Sequence, residues 1–395
     1  VISVAEALDR LFALAPTPVP EEVPLLDAAG RVLLRPVAAR RDQPPFAASA
    51  MDGYALRAAD VSPGAVLCIL GESAAGRRFE GRVGPGEATR ILTGAPLPQG
   101  ADAVVIQEEV RRDGDRITIS DTAIAAHVRP AANDFAAGSE LSAPRRLSPA
   151  DVALLAAFGA ARVTVGRRPT VAIISTGDEL VMPGEEPGPD QIFAANAFGL
   201  HALLAAEGAR PRLLPIAGDR PEALALAFDL AHGADLVLTI GGASVGDHDL
   251  VAPAAQAAGA RLDFHKVAMR PGKPLLAGRM PDGSMLLGLP GNPVSAMVCG
   301  LIFLLPVIRA MQGLLPGPAP RERRRLAVAL RPGGPREHYL RAVLDRDGSV
   351  RPFDRQDSSL LSVLGQADGL VAQPPDALGQ DAGEMVDFVP FRRNT

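Results

Sequence analysis

The sequence is short of lysine. Its 40 basic residues comprise 38 Arg and only two Lys, Lys266 and Lys273, both inside the decapeptide "HKVAMRPGKP" at 265–274. Lys is a compact, movable point charge where Arg is a planar fork, so a site that needs a small cation beside an oxyanion is one reason to keep Lys; chance is the other. Cysteine is equally scarce: Cys68 and Cys299 lie far apart in no CxxC pattern. That argues against a disulfide framework or a zinc site and fits a reducing, cytoplasmic setting. No apolar run reaches the roughly 20 residues of a membrane span. The most apolar stretch, "VSAMVCGLIFLLPVI" from Val294, is about 15 residues, contains Pro306, and reads as a buried helix. The first residues, "VISVAEALDRLFALAPTP", carry acidic side chains early and no long apolar core, so no signal peptide is expected. A net charge of −5 gives no support to a nucleic-acid binder driven by phosphate contacts. It leaves room for small anions, which need only local positive potential. HExxH, Walker A and GxGxxG motifs are all absent, which removes the commonest metalloprotease and nucleotide-binding readings.

What is present is enough apolar residue (47%) to fill several cores, and 40 Gly with 37 Pro to punctuate them. A chain of 395 residues is expected to form two to four domains. Residues 1–15 have a helical apolar face. From about 38 to 137 the apolar pieces are short ("AVLCIL", "DAVVIQEEV", "RITIS"), as in a β-rich module. "SPADVALLAAFG" (148–159) predicts a helix capped by Ser148 with Pro149 in its first turn. After Arg168, strand, Gly loop and helix alternate for about 145 residues, which predicts a doubly wound parallel sheet. After a linker at 314–320, short strands return and predict a small C-terminal β domain.

Ligands of open α/β sheets bind at the carboxyl ends of the strands. Three Gly-bearing loops fall at predicted strand ends: "STGDEL" (175–180), "GGASVGDHD" (241–249) and "GLPGNPVS" (288–295). Any one of them is adequately explained as a tight turn; three on one edge favour a nest for phosphate-like anions. In the third loop Asn292 can cap the following helix, with Pro293 in its first position. Carboxylates gather at the same ends: Asp178, Glu179, Asp219, Asp247 and Asp249. Beside an anion nest they suit Mg²⁺ shared with ligand phosphates, although Asp219 can also be a helix cap. His248 and His265 lack zinc-like partners. "PPFAASAMDGYALRAAD" (44–60) and "RILTGAPLPQGADAVVIQEE" (90–109) place Asp52 and Thr93 on loops of the β-rich module without a clear structural need.

These stretches together resemble a family. "SAMDGYA", "LTGAPLPQGADAVV", "STGDEL", "GGASVGDHD", "KVAMRPGKP" and "GLPGNPVSAM" are similar, in order along nearly the whole chain, to the MoeA family of molybdopterin molybdenumtransferases, which includes the E domain of gephyrin. The fold implied is multidomain α/β plus β: a doubly wound MogA-like α/β domain, an inserted β-rich domain and a C-terminal β domain. The expected divisions are an N-terminal helix at 1–20, a linking and dimerisation domain at 21–37 and 138–168, the insertion at 38–137, the α/β molybdopterin-binding domain at 169–316 and the β domain at 317–395.

The activity implied is insertion of molybdate into adenylylated molybdopterin with Mg²⁺-assisted release of AMP, in a cytoplasmic homodimer with transient contacts to other cofactor-pathway enzymes, and with neither nucleic acid nor membrane as partner. By motif, the resemblance places Asp52, Thr93, Glu179, Asp219, Asp249, Lys266 and Arg270 in the active site, with Glu179, Asp219 and Asp249 as metal ligands. Substrate contacts fall to Gly242, Ser244, Gly246, Lys273, Pro290, Gly291, Asn292, Pro293 and Asp134, and molybdate contacts to Arg341, Ser358, Arg270 and Lys273. Family members often carry Asp-Asn where this chain has Ala47-Ala48, and some have Lys where it has Arg270; which of Asp247 and Asp249 takes the carboxylate role stays open. Two other readings are a gephyrin-like scaffold, for which no extra domain is evident, and the adenylyltransferase that acts on molybdopterin itself, against which the insertion and "SAMDGYA" argue.

Overall fold

The computed structural model describes residues 1–242 and 250–391. The chain opens with the helix Val4–Leu14, whose Ser3 hydroxyl accepts from the Glu6 N–H. Val4, Ala7, Leu8 and Leu11 recur at helical spacing, are buried, and pack into the core of the α/β domain. Pro20–Pro24 and Val32–Leu33 then pair with Arg162–Gly166, and Arg145–Arg146 closes a four-stranded sheet. One sheet is thus assembled from segments on either side of a long insertion. The helix Pro149–Ala157 covers it, starting in a capping box in which Ser148 and Asp151 each bind the other's backbone N–H.

The insertion carries a six-stranded sheet in the order Ala103–Ile106, Gly53–Leu56, Glu87–Ile91, Val66–Ser73, Arg116–Ile119, Val110–Asp113. Its own core includes Tyr54, Leu56, Leu67, Val105 and Ile117. Gly53 is required where strands meet closely: a Cβ there would lie 2.1 Å from the Val105 carbonyl oxygen. This pins the chain immediately after Asp52.

The α/β sheet runs in the order Arg210–Leu213, Thr170–Ser175, Leu236–Ile240, Met285–Leu289, Pro274–Arg279, Arg261–Lys266. The first four strands are parallel. The expectation of a wholly parallel sheet is corrected at the other edge, where Pro274–Arg279 runs antiparallel to both neighbours. Only a short turn, closed by Met280 N–H to the Ser284 carbonyl, joins it to Met285–Leu289, and a parallel pair would need a long crossover. The first strand connects outward to Arg210–Leu213 and the chain then crosses back to Leu236–Ile240. The topological switch point therefore lies between Thr170–Ser175 and Leu236–Ile240.

The apolar run after Asn292 forms one continuous helix, longer than the run itself. Pro293–Cys299 is α, Gly300–Leu304 is a π turn, and Leu305–Met311 is α again. Pro306 lacks an N–H and its ring crowds the carbonyl four residues back, and the wider π turn accommodates both faults. By length and composition this is the one helix among the described residues able to cross a membrane, yet 78% of it is buried inside the protein. It forms the centre of the largest core.

The last domain is a sheet in the order Met269–Arg270, Glu337–Leu344, Gly369–Gln373, Met385–Pro390, Glu322–Arg325, with Val350–Pro352 paired to Glu337–Leu344. Its edge strand, Met269–Arg270, belongs to the lysine-bearing decapeptide. That segment folds back on itself, Val267 N–H to the Lys273 carbonyl, while Glu337 N–H bonds the Ala268 carbonyl. It is a seam between the α/β and C-terminal domains.

Candidate active site

A cavity of about 650 Å³ opens at the carboxyl ends of the strands, over the switch point. Its floor is backbone. Thr176 and Gly177 follow one strand, Gly241 and Gly242 the next, and Pro290 and Gly291 a third. Gly241 has φ +95°, and a Cβ there would lie 2.8 Å from both the Thr176 carbonyl and its hydroxyl. At Gly177 (φ +142°) a Cβ would meet the Glu179 carboxylate at 2.4 Å, so only Gly lets that carboxylate fold back over the loop. The Asn196 side chain donates to the Gly291 carbonyl at 2.7 Å, tying the third loop to the helix Ala195–Ala206.

Glu179, Asp219, Gly242, Pro290, Gly291, Asn292 and Pro293 all line this one cavity, as their grouping in the sequence anticipated. Two details differ. Asn292 occupies the N-cap position, but its side chain makes no capping bond. Asp219 does not cap the next helix; that position is Arg220, and Asp219 faces the cavity instead. Glu179 and Asp219 are exposed and neither forms an ion pair among the described residues. No group of three or more His, Cys, Asp or Glu that could hold a metal occurs among the described residues. Ser244, Gly246, Asp247 and Asp249 lie outside the described residues.

The cation turn borders this cavity through Pro274. Lys266 is half-buried, Arg270 and Lys273 are exposed, and none of the three side chains has a hydrogen-bond or ion-pair partner among the described residues. Behind the turn, Gly272 (φ +106°) rests on the buried Cys299, and a Cβ there would come within 2.4 Å of the Cys299 sulfur. Burial pushes the Cys299 thiol far up, so it is an inert apolar support.

Arg341 is placed otherwise than the sequence suggested. It is 1% exposed, and its guanidinium is engaged by the Gln356 side chain and the carbonyls of Arg355, Asp357 and Leu360. It therefore shapes the 355–360 loop instead of reaching into the cavity. That loop brings Ser359 to the cavity wall. The neighbouring Ser358 uses its carbonyl to accept from Val294 N–H at the start of the long helix.

Asp52 and Thr93 meet on the inserted domain. The Asp52 carboxylate accepts from the Thr93 N–H and hydroxyl, both at 2.7 Å, and these bonds hold its pKa below the usual carboxylate value. Neither residue lines the cavity, and nor does Asp134, whose N–H bonds the Gln43 carbonyl. Sequence reasoning missed Asn196 and Ser359. Ser359 adjoins a predicted residue, whereas Asn196 gave no signal beyond being polar in a helix's first turn. A second cavity of about 680 Å³ lies between Leu203, Met297 and Leu301 and the last domain, away from the strand ends and their Gly loops.

Fold and cleft define a class: a multidomain α/β protein whose switch-point loops form an anion-type cradle. Family models agree with the geometry. The MoeA N-terminal region (domains I and II) matches residues 2–159, a probable molybdopterin-binding domain matches 172–310, and the MoeA C-terminal region (domain IV) matches 323–391. A molybdopterin molybdenumtransferase from Nostoc sp. is 41% identical over 75% of this chain and 70% of its own length. Molybdopterin molybdenumtransferase 2 of Mycobacterium tuberculosis is 36% identical over 93% of this chain and 94% of its own. A solved molybdopterin biosynthesis MoeA protein from Pyrococcus horikoshii superposes with a TM-score of 0.83 at 30% identity, covering all of both chains. The chain belongs to the MoeA family.

Proposed function

We propose that this enzyme of molybdenum cofactor biosynthesis inserts molybdate into adenylylated molybdopterin and releases AMP. Its kinship with molybdopterin molybdenumtransferases supports transferase chemistry. The observation that carries the reading is the single cavity in which backbone loops and two carboxylates meet beside a cation turn, the side chains of both unpaired among the described residues. The loops at Gly177, Gly241–Gly242 and Pro290–Gly291 would cradle the phosphates. Ile192 and Phe193 offer an apolar wall for a flat ring system. Lys266, Arg270 and Lys273 would hold the molybdate dianion, Ser358 would assist through its hydroxyl, and Arg341 acts through the loop it braces.

Glu179 and Asp219 fit Mg²⁺, a hard cation usually held by one or two carboxylates with ligand phosphates filling the remaining positions. When bound, Mg²⁺ would neutralise charge on the cleaved pyrophosphate. Asp249 remains a candidate third ligand. Positioning and electrostatics, without a covalent nucleophile, would supply most of the acceleration.

Asp52 and Thr93 stand apart from the cavity in this chain. Their proposed role is to complete the cleft of a second subunit in a homodimer, with Asp134 on the same module. The free thiols of Cys68 and Cys299 suit a reducing, cytoplasmic setting, where transient contacts with neighbouring pathway enzymes would pass the product on. The test is direct. Purified protein given adenylylated molybdopterin, Mg²⁺ and molybdate should release AMP and yield cofactor that activates a molybdenum apoenzyme. AMP release indifferent to both molybdate and metal would end this assignment, and ATP consumption would point to an adenylyltransferase.

A further inference from the structure

The strand pairing at the seam places one more side chain beside the cation turn. Arg270 is in register with His338, on the first full strand of the last domain. Arg336 lies two residues earlier, just before the strand begins, and Arg341 three later on it. Gln373 is opposite His338 on the next strand, its side-chain amide donating to the Arg331 carbonyl. Glu337, the nearest carboxylate in sequence, is taken by Arg321 and the Tyr339 hydroxyl. The side chains of Arg270, Arg336 and His338 have no hydrogen-bond or ion-pair partner among the described residues. The half-buried imidazole thus sits in register with Arg270 and feels the charges of Arg270, Arg336 and Arg341, of which only Arg341, turned to the other face of the strand and bound into the 355–360 loop, has a carboxylate, Asp357, acting on it.

We infer that His338 belongs to the oxyanion site at the Arg270 turn and takes up a proton when a tetrahedral dianion binds there, so that anion affinity rises as pH falls. This rests on reading the turn as an oxyanion site, as proposed above. Burial, and then the charges of Arg270, Arg336 and Arg341, hold the free imidazole's pKa down at about 4. The empty site is therefore neutral at this position near pH 7. A dianion among the same guanidiniums offsets their repulsion and gives the protonated ring a partner, which raises its pKa. Binding then draws in a proton, and each pH unit of decrease can strengthen binding by up to about tenfold. Molybdate and the terminal phosphate of the pterin ligand share this chemistry.

The experiment is calorimetric titration of the full chain with sulfate, whose charge is fixed in the range, with molybdate and inorganic phosphate as competitors. Heats in buffers of different ionisation enthalpy count the protons taken up without any variant. From about pH 8 to about pH 6, wild-type protein should bind sulfate at least about threefold tighter, taking up a fraction of a proton. His338→Gln should keep the affinity seen at the upper pH and lose both the pH dependence and the uptake. Stronger displacement by molybdate assigns the site to the substrate anion, and stronger displacement by phosphate assigns it to the ligand's phosphate; either supports the inference. Anion binding without proton uptake in wild type, or with uptake unchanged in His338→Gln, overturns it. Absence of any anion binding overturns it as well. Normal proton-coupled binding in a protein that makes no cofactor would instead remove the proposed reaction and leave the site standing.

Discussion

At the joint between the linking sheet and the α/β domain, one carboxylate is gripped by two guanidiniums. Glu207 accepts from Arg146 at 2.6 Å and from Arg309 at 3.1 and 2.9 Å, while its own carbonyl accepts from Gln312 at 2.9 Å. At the seam between the α/β and C-terminal domains, the side chains of Lys266, Arg270, Lys273 and Arg336 form no ion pair among the described residues. Both are junctions between domains and both are cationic. The first is complete within the chain and fixes geometry. The second has no ion-pair partner among the described residues, and under the proposed function it is an anion that supplies the missing charge. Arg341 shows a third use of the same residue type, buried and braced on the carbonyls and Gln356 of the loop it holds.

That contrast can be broken from either side, and the largest effect is expected on turnover. Asp52→Ala should cut AMP release by about a hundredfold or more with the melting temperature unchanged, because an oriented charge is lost from an exposed loop. If turnover is unaltered, Asp52 leaves the site. Next comes Glu207→Ala, which strands two guanidiniums. Full burial would cost ~3–5 kcal/mol, and with Glu207 at 14% and Arg309 at 22% side-chain exposure about 2–3 is expected, read by denaturant unfolding. Removing Arg336 with Gln should show the opposite sign, equal or greater stability with weaker anion binding.

Cys299→Leu tests the support beneath the turn. Overpacking there should cost ~1–3 kcal/mol and push Gly272 outward, raising KM for molybdate more than it lowers kcat. Cys299→Ser, nearly isosteric, should leave KM close to wild type. The smallest effect is expected for Lys266→Arg and Lys273→Arg, each losing turnover by about tenfold or less with folding intact. If both variants behave as wild type, the concentration of lysine in this decapeptide is chance.

The sequence made the α/β strand-loop-helix alternation and the three Gly loops legible because backbone need dictates Gly and Pro locally. Glu179, Asp219 and Pro290–Pro293, grouped in the sequence beside those loops, line one cavity. What could not be read was set by distance along the chain. The reversal of Pro274–Arg279 follows from the length of one turn, and the use of Met269–Arg270 as an edge strand of another domain depends on partners some 70 residues away. The burial of Arg341 in the 355–360 loop was not legible, because a motif shows a residue type without its burial. His338 carried no motif at all, and only its register against Arg270 reveals it.

Under the proposed function, the seam is left without ion pairs so that it can receive the molybdate dianion. This claim is tested most directly by AMP release at varied molybdate in wild type and Arg270→Gln, with adenylylated molybdopterin and Mg²⁺ saturating. The account predicts molybdate-stimulated release in wild type, and in the variant a KM for molybdate raised by about tenfold or more at unchanged affinity for the nucleotide ligand. An unchanged KM for molybdate in Arg270→Gln would contradict it.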